Sequence, residues 1–197
     1  VKDNTGYDLA GLLCGSEGTL AVTLGATLAL HARPKVKGLA VLGFADLDEA
    51  IAAVVPILST SPTAIELLDD TVVDLARANT EYRAYVDLMP QPTRGELKAV
   101  LYVEYFGEQI AEIESAFARL GALLPGVAMQ KHTNAGAMLN AWKLRKAGEP
   151  LLHGIPGHRK PITFIEDNAI PVENLSRFVK ELRAIVASYG TRAAYYA

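Results

Sequence analysis

The sequence predicts an α+β fold: a split β-α-β, ferredoxin-like antiparallel sheet with helices on one face. Three observations carry this expectation. One phrase, an apolar run, an amphipathic helical stretch and a second apolar run, occurs three times after residue 37. Long helical segments, at residues 71–79 and 133–147, separate the three units. The apolar positions of the last helix recur with a 3.6-residue period. A doubly wound parallel sheet stays open as the alternative, because periodicity does not give strand order.

Taken in order, residues 4–19 are rich in Gly, Asp, Ser and Thr and read as a loop. Residues 20–30 alternate small, β-branched and aliphatic side chains and read as one strand or a bent pair. Pro34 closes that run, since proline cannot continue a ladder, and a domain joint is expected at residues 31–37. The first unit is a strand at 38–44, a helix at 47–58 capped by Asp46, and a strand at 63–68. The second is a strand at 97–106, a helix at 108–123 and a strand at 127–131. The third is a strand at 162–166, a helix at 172–189 and a strand at 192–196. In that helix Leu175, Phe178, Val179, Leu182, Ile185 and Val186 share one face, with Pro171 at its first turn and Gly190 past its end.

Composition bounds the function. The 197 residues are 50% hydrophobic and 21% charged, enough for one sizeable domain or one domain plus a piece of another. A formal net charge of −3 lacks the basic excess of a nucleic-acid binder. No apolar run reaches the roughly 18 residues of a membrane-spanning helix, so a soluble, cytoplasmic protein is expected. The single cysteine, Cys14, excludes an intrachain disulfide or a Cys-rich zinc or iron–sulfur site in this chain. With no neighbouring His or Lys it reads as buried and inert. A start without Met and an end in an apolar, aromatic run lead us to expect a piece of a longer protein.

The Gly15-Ser-Glu-Gly-Thr-Leu20 loop fits no nucleophile elbow, dinucleotide fingerprint or phosphate loop, because each requires glycines or a lysine that are missing here. On physical grounds it is a glycine-permitted turn whose backbone can approach a flat ligand closely.

The longer string is more specific. Lys2-Asp-Asn-Thr-Gly-Tyr-Asp-Leu9, then Leu13-Cys-Gly-Ser-Glu-Gly-Thr-Leu-Ala-Val-Thr23, then Ala26-Thr-Leu-Ala-Leu30 and Arg33-Pro34, strongly resembles the FAD-linked oxidase family. These are the vanillyl-alcohol-oxidase-type flavoproteins that include D-lactate, glycolate and D-2-hydroxyglutarate dehydrogenases. Trp142-Lys-Leu-Arg145 looks like the family's Trp-x-x-Arg helix, and Glu166-Asp-Asn-Ala-Ile-Pro171 like its Glu-Asp-x-Ala-x-Pro strand end. The wording of 144–148, 161–167 and 195–197 is most similar to a subgroup fused to a C-terminal iron–sulfur oxidoreductase region.

The resemblance implies that residues 1–34 close a FAD-binding domain and that 35–197 form most of a substrate-cap domain. It implies FAD contact, mostly through backbone groups, at Glu17, Gly18, Thr19, Leu20, Ala21, Val22 and Thr23. The family usually has Gly where Ala21 stands, which a methyl group tolerates only at negative φ. The pyrophosphate loops would lie upstream of Val1, and the family's His-rich motif and any iron–sulfur clusters beyond Ala197. The fragment is therefore expected to be inactive alone. The whole protein would move a hydride from a D-2-hydroxy acid, such as lactate, glycolate or 2-hydroxyglutarate, to FAD. A homodimeric parent and its peripheral attachment to a membrane are both compatible with this.

Arg145 is the candidate for the substrate carboxylate, because a planar guanidinium offers two parallel hydrogen bonds that Lys cannot. An arginine in the last turn of a helix also serves simply to complement the dipole. Trp142 reads as packing, and Lys143 and Lys146 as solvated. Where some relatives carry a Lys before the strand-end proline, this chain has Ile165, a departure in the carboxylate clamp. No metal site is expected: His132, His153 and His158 lack helical pair spacing with a carboxylate, and His31 reads as a surface residue. Glu166 and Asp167, adjacent on a strand, would face opposite ways, so Asp167 reads as a turn cap. Two rivals stand beside this reading. One is a stand-alone ferredoxin-like ligand-binding or dimerisation module. The other is an aryl-alcohol or alkylglycerone-phosphate-type flavoenzyme, weaker at Trp142–Arg145 and Glu166–Pro171.

Overall fold

The computed structural model describes residues 5–158, 160–163, 165 and 168–196. Two compact units divide the chain, Val1–Arg33 and Pro34–Ala197.

In the first unit the only helix among the described residues is the five-residue α1 (Leu9–Leu13), whose start is capped by the Asp8 carboxylate accepting from Gly11 N–H at 2.9 Å. From Leu20 to Arg33 the described backbone is irregular and makes no backbone-to-backbone hydrogen bond among the described residues. The strand expected at 20–30 is therefore absent. Its apolar residues Leu20, Val22, Leu24, Leu28 and Leu30 are exposed. The alternation suits a strand, but a strand forms only when a neighbouring edge takes up its N–H and C=O groups. Cys14 is exposed rather than buried, a second correction, because α1 buries none of its residues.

The second unit is built on a four-stranded antiparallel sheet in the order β2-β3-β1-β4: β1 (Val36–Phe44), β2 (Ala64–Asp69), β3 (Ala99–Gly107) and β4 (Ala128–His132). Helix α2 (Leu47–Leu58) joins β1 to β2, and α5 (Ile110–Leu123) joins β3 to β4. This is the ferredoxin-like order, in which β3 inserts between the two strands of the first β-α-β unit. Asp46 caps α2 as expected, accepting from Glu49 N–H at 3.0 Å.

Alternation along β1 divides the core in two. Ala40, Leu42 and Phe44 face α2 and α5, meeting Ala53, Ile57, Ile113, Phe117 and Leu120. Gly38 is required on this face, since a methyl group there would run into the Ile113 and Phe117 side chains of α5. Leu39 and Val41 face a second cluster with Leu68, Val100 and Tyr102. That cluster is covered by α3 (Asp70–Ala78), α4 (Arg83–Asp87), α6 (Ala135–Lys146) and α7 (Gly148–His153). The two crossover helices thus share one face, as the sequence pattern requires, and the other face is covered too. The sequence reading placed α3 and α6 between units without seeing that they close this second layer.

Of the third unit, the helix forms as α8 (Leu175–Ser188), preceded by a 3-10 turn at Val172–Asn174. The strand expected at 162–166 is not present at 162, 163 or 165, and its other members, with Asp167, lie outside the described residues. Of the strand expected at 192–196 only one antiparallel bridge, Leu68 to Tyr196, is made, on the outer edge of β2. α8 buries only Val179 and is tied to α2 by Arg183, whose Nη1 lies 2.6 Å from Asp48 Oδ1.

Candidate functional site

α6 starts at Asn134, whose side-chain oxygen accepts from Gly136 N–H at 2.8 Å and Ala137 N–H at 3.2 Å. It sets Ala141 and Leu144 into the second core cluster. Arg145, the next residue, therefore leaves the helix at the border of that cluster, with 18% of its side chain exposed. Its Nη2 lies 2.6 Å from Glu66 Oε2 on β2, and its guanidinium carbon lies 5.4 Å from the centre of the Tyr196 ring. Its Nε is buried and has no hydrogen-bond partner among the described residues.

One turn earlier, Trp142 stacks on Tyr102 with ring centres 5.3 Å apart and planes 20° from parallel. Packing is thus the role the structure gives Trp142. Burial drives the Tyr102 phenol pKa upward, opposed in part by the Arg145 charge. Glu104, two residues along the same face of β3, is also raised, first by burial and then by Glu66, with Lys37 acting against both. Burial lowers the His132 pKa at the end of β4, which favours the neutral imidazole. Lys143 is exposed and donates to the Tyr85 hydroxyl at 3.2 Å. His153 lies 3.7 Å from Glu149, and among the described residues no three His, Cys, Asp or Glu side chains converge as a metal set.

Sequence reasoning singled out Arg145 and missed Glu66, Tyr102 and Tyr196. A signal for Glu66 was available, because an acid in the apolar run Ala64–Asp69 shares its face with Leu68.

In the first unit, Gly15, Glu17 and Gly18 have φ of 79°, 50° and 77°. Glu17 is a non-glycine residue in the left-handed region, a strained conformation that clusters at ligand contacts. A Cβ added at Gly15 or Gly18 would meet nothing within 4 Å, so this backbone is open to an approaching flat group. Ala21 is not among the residues of positive φ, so its methyl group is accommodated. Thr19 N–H folds back on Ser16 C=O at 2.9 Å and closes the turn. Residues 15–19 thus present an open, turned backbone, followed by a stretch that makes no backbone-to-backbone hydrogen bond among the described residues.

Residues 33–197 match the model of the FAD linked oxidases, C-terminal domain. The chain belongs to this family. This FAD-linked oxidase domain is 28% identical over 193 residues to the D-2-hydroxyglutarate dehydrogenase of Pantoea ananatis, covering 93% of the chain and 19% of that protein. It is 29% identical over 195 residues to the Escherichia coli enzyme of the same name, covering 94% of the chain and 19% of that protein. With the glycolate oxidase subunit GlcD of Bacillus subtilis it shares 30% over 191 residues, 95% of the chain and 38% of the subunit. The chain thus spans about one fifth of the two dehydrogenases. Among its described residues no helix is long and apolar enough to cross a membrane.

Proposed function

We propose that this chain is part of a FAD-dependent 2-hydroxy-acid dehydrogenase, comprising its substrate-cap domain and the flavin-facing end of its FAD-binding domain. The observation that carries the reading is the state of Arg145. The guanidinium holds a carboxylate, that of Glu66, through Nη2, while its buried Nε–H has no acceptor among the described residues. A guanidinium that already takes one carboxylate has the planar donor set that suits a ligand carboxylate, whose two oxygens match adjacent N–H groups.

The names of the relatives indicate the substrate class, 2-hydroxyglutarate or glycolate. FAD, when bound, supplies the acceptor for the hydride from the substrate's α-carbon. Arg145 would hold the substrate carboxylate and so orient that carbon, Tyr102 and Trp142 would stiffen the helix that carries it, and the 15–23 backbone would receive the cofactor. A FAD domain upstream, and an iron–sulfur region downstream, belong to this proposal for the whole protein, as does inactivity of the isolated chain.

The test is the Arg145→Ala and Arg145→Lys pair in the full-length flavoenzyme. Loss of a charge-assisted hydrogen bond costs about 1.5–3 kcal/mol, so KM for a 2-hydroxy acid should rise about 10- to 100-fold in both. Lysine that restores the wild-type KM, or alanine that leaves it unchanged, removes Arg145 from the site.

A further inference from the structure

We propose that Asp69 is a positioning residue for Arg145, acting by holding the Tyr196 ring beneath the guanidinium. The inference rests on the reading of Arg145 as the substrate arginine.

Asp69 ends β2 and is 1% exposed. One carboxylate oxygen, Oδ1, accepts from Val72 N–H at 3.2 Å and caps α3. The other, Oδ2, accepts from Tyr195 N–H at 2.7 Å, and the Asp69 N–H donates to the Tyr195 carbonyl at 3.0 Å. Capping a helix needs one oxygen, which Ser or Thr supplies without burying a charge. The second oxygen accounts for the aspartate, because it closes a two-bond clamp between β2 and the segment near residue 195.

The clamp decides where the next residue lies. Leu68 and Tyr196 form an antiparallel bridge, so their side chains share a face, and the Tyr196 ring packs against the cluster that contains Leu68 and Leu144. On that face the ring meets Arg145 at 5.4 Å, within cation–π range. Glu66, two residues before Leu68, takes the guanidinium by its edge at 2.6 Å. Ring and carboxylate fix the plane and the roll of the guanidinium, and β2 carries the residues that hold both.

The test separates the cap from the clamp. Asp69→Ser keeps a capping oxygen for α3 and loses the acceptor for Tyr195. Tyr196→Leu removes the ring and leaves Asp69 intact, and Tyr196→Phe keeps the ring. In this chain, NMR exchange of the Arg145 Nε–H should quicken at least about tenfold in Asp69→Ser and Tyr196→Leu but stay near wild type in Tyr196→Phe. In the full-length flavoenzyme the first two should raise KM for the hydroxy acid about three- to thirtyfold, with kcat little changed. Their double variant should be no worse than either alone. Exchange and KM at wild-type values in Tyr196→Leu overturn the proposal, even if Asp69→Ser fails to fold. Faster exchange in both variants with KM unmoved in Arg145→Ala leaves the positioning link standing and overturns the substrate reading instead.

Discussion

Glu66 and Tyr102 stand directly opposite one another across the β2–β3 ladder, and both meet α6, Glu66 by its ion pair with Arg145 and Tyr102 by stacking on Trp142. Opposed residues of an antiparallel pair share a face, so this register alone brings a carboxylate and a phenol beneath the last turn of α6. Tyr102 is a buried member of the second core cluster, and Glu66, on the edge strand, sets a charge beside it.

Removing Glu66 leaves a mostly buried guanidinium without its counter-charge. Glu66→Ala should destabilise the chain by about 1–2 kcal/mol, discounted for the part of both side chains that water reaches. Urea unfolding checks this. A midpoint unchanged from wild type would show that the ion pair contributes nothing to stability.

Burial lifts the Asp69 pKa to about 6 from 3.8, against hydrogen bonds from Tyr195 and Val72 that pull it down. Between these two values the folded chain holds more protons at Asp69 than the unfolded chain does, so stability falls as pH rises from about 4 to 6. At pH 7 the penalty reaches about 3 kcal/mol, one pKa unit being about 1.4 kcal/mol. Relative to Asp69→Asn, the wild type should therefore gain stability when the pH drops from 7 to 4.5. A difference between the two that does not move with pH counts against the shift.

Trp142 covers Tyr102 and gives α6 its aromatic contact with the sheet. Trp142→Ala should cost about 2–4 kcal/mol, below the full range for a buried aromatic because the indole is partly exposed. Trp142→Phe should recover about half of that. Thermal unfolding followed by near-ultraviolet circular dichroism measures both, and an alanine variant as stable as wild type would mean the stack is incidental.

Gly38→Ala places a methyl group against Ile113 and Phe117. The crossover helix α5 must then move from β1, at about 1–3 kcal/mol for overpacking. Equal denaturation midpoints for the two chains would contradict this close approach.

How much of this was legible follows from where each signal resides. The elements of the first two units could be read because their apolar runs are buried against helices, both helices are amphipathic, and α2 carries a cap at Asp46. The strand expected at 20–30 could not, because alternation states a preference that only a neighbouring edge can satisfy, and none is bonded to Leu20–Leu30 among the described residues. Arg145 was legible from its Trp-x-x-Arg context. Its partners were not, since Glu66 and Tyr196 lie 79 and 51 residues away in sequence and meet it only through the β2 edge. Asp69 falls between the strand expected at 63–68 and the helix expected at 71–79, where no sequence pattern signals that its carboxylate is buried.

The unpaired backbone from Leu20 to Arg33 has a consequence for handling the protein. Five exposed aliphatic side chains, Leu20, Val22, Leu24, Leu28 and Leu30, alternate along a segment that makes no backbone-to-backbone hydrogen bond among the described residues. Such a stretch is a template for cross-strand recruitment between molecules. Self-association of the chain is therefore expected along Leu20–Leu30, whereas its antiparallel sheet begins at Val36.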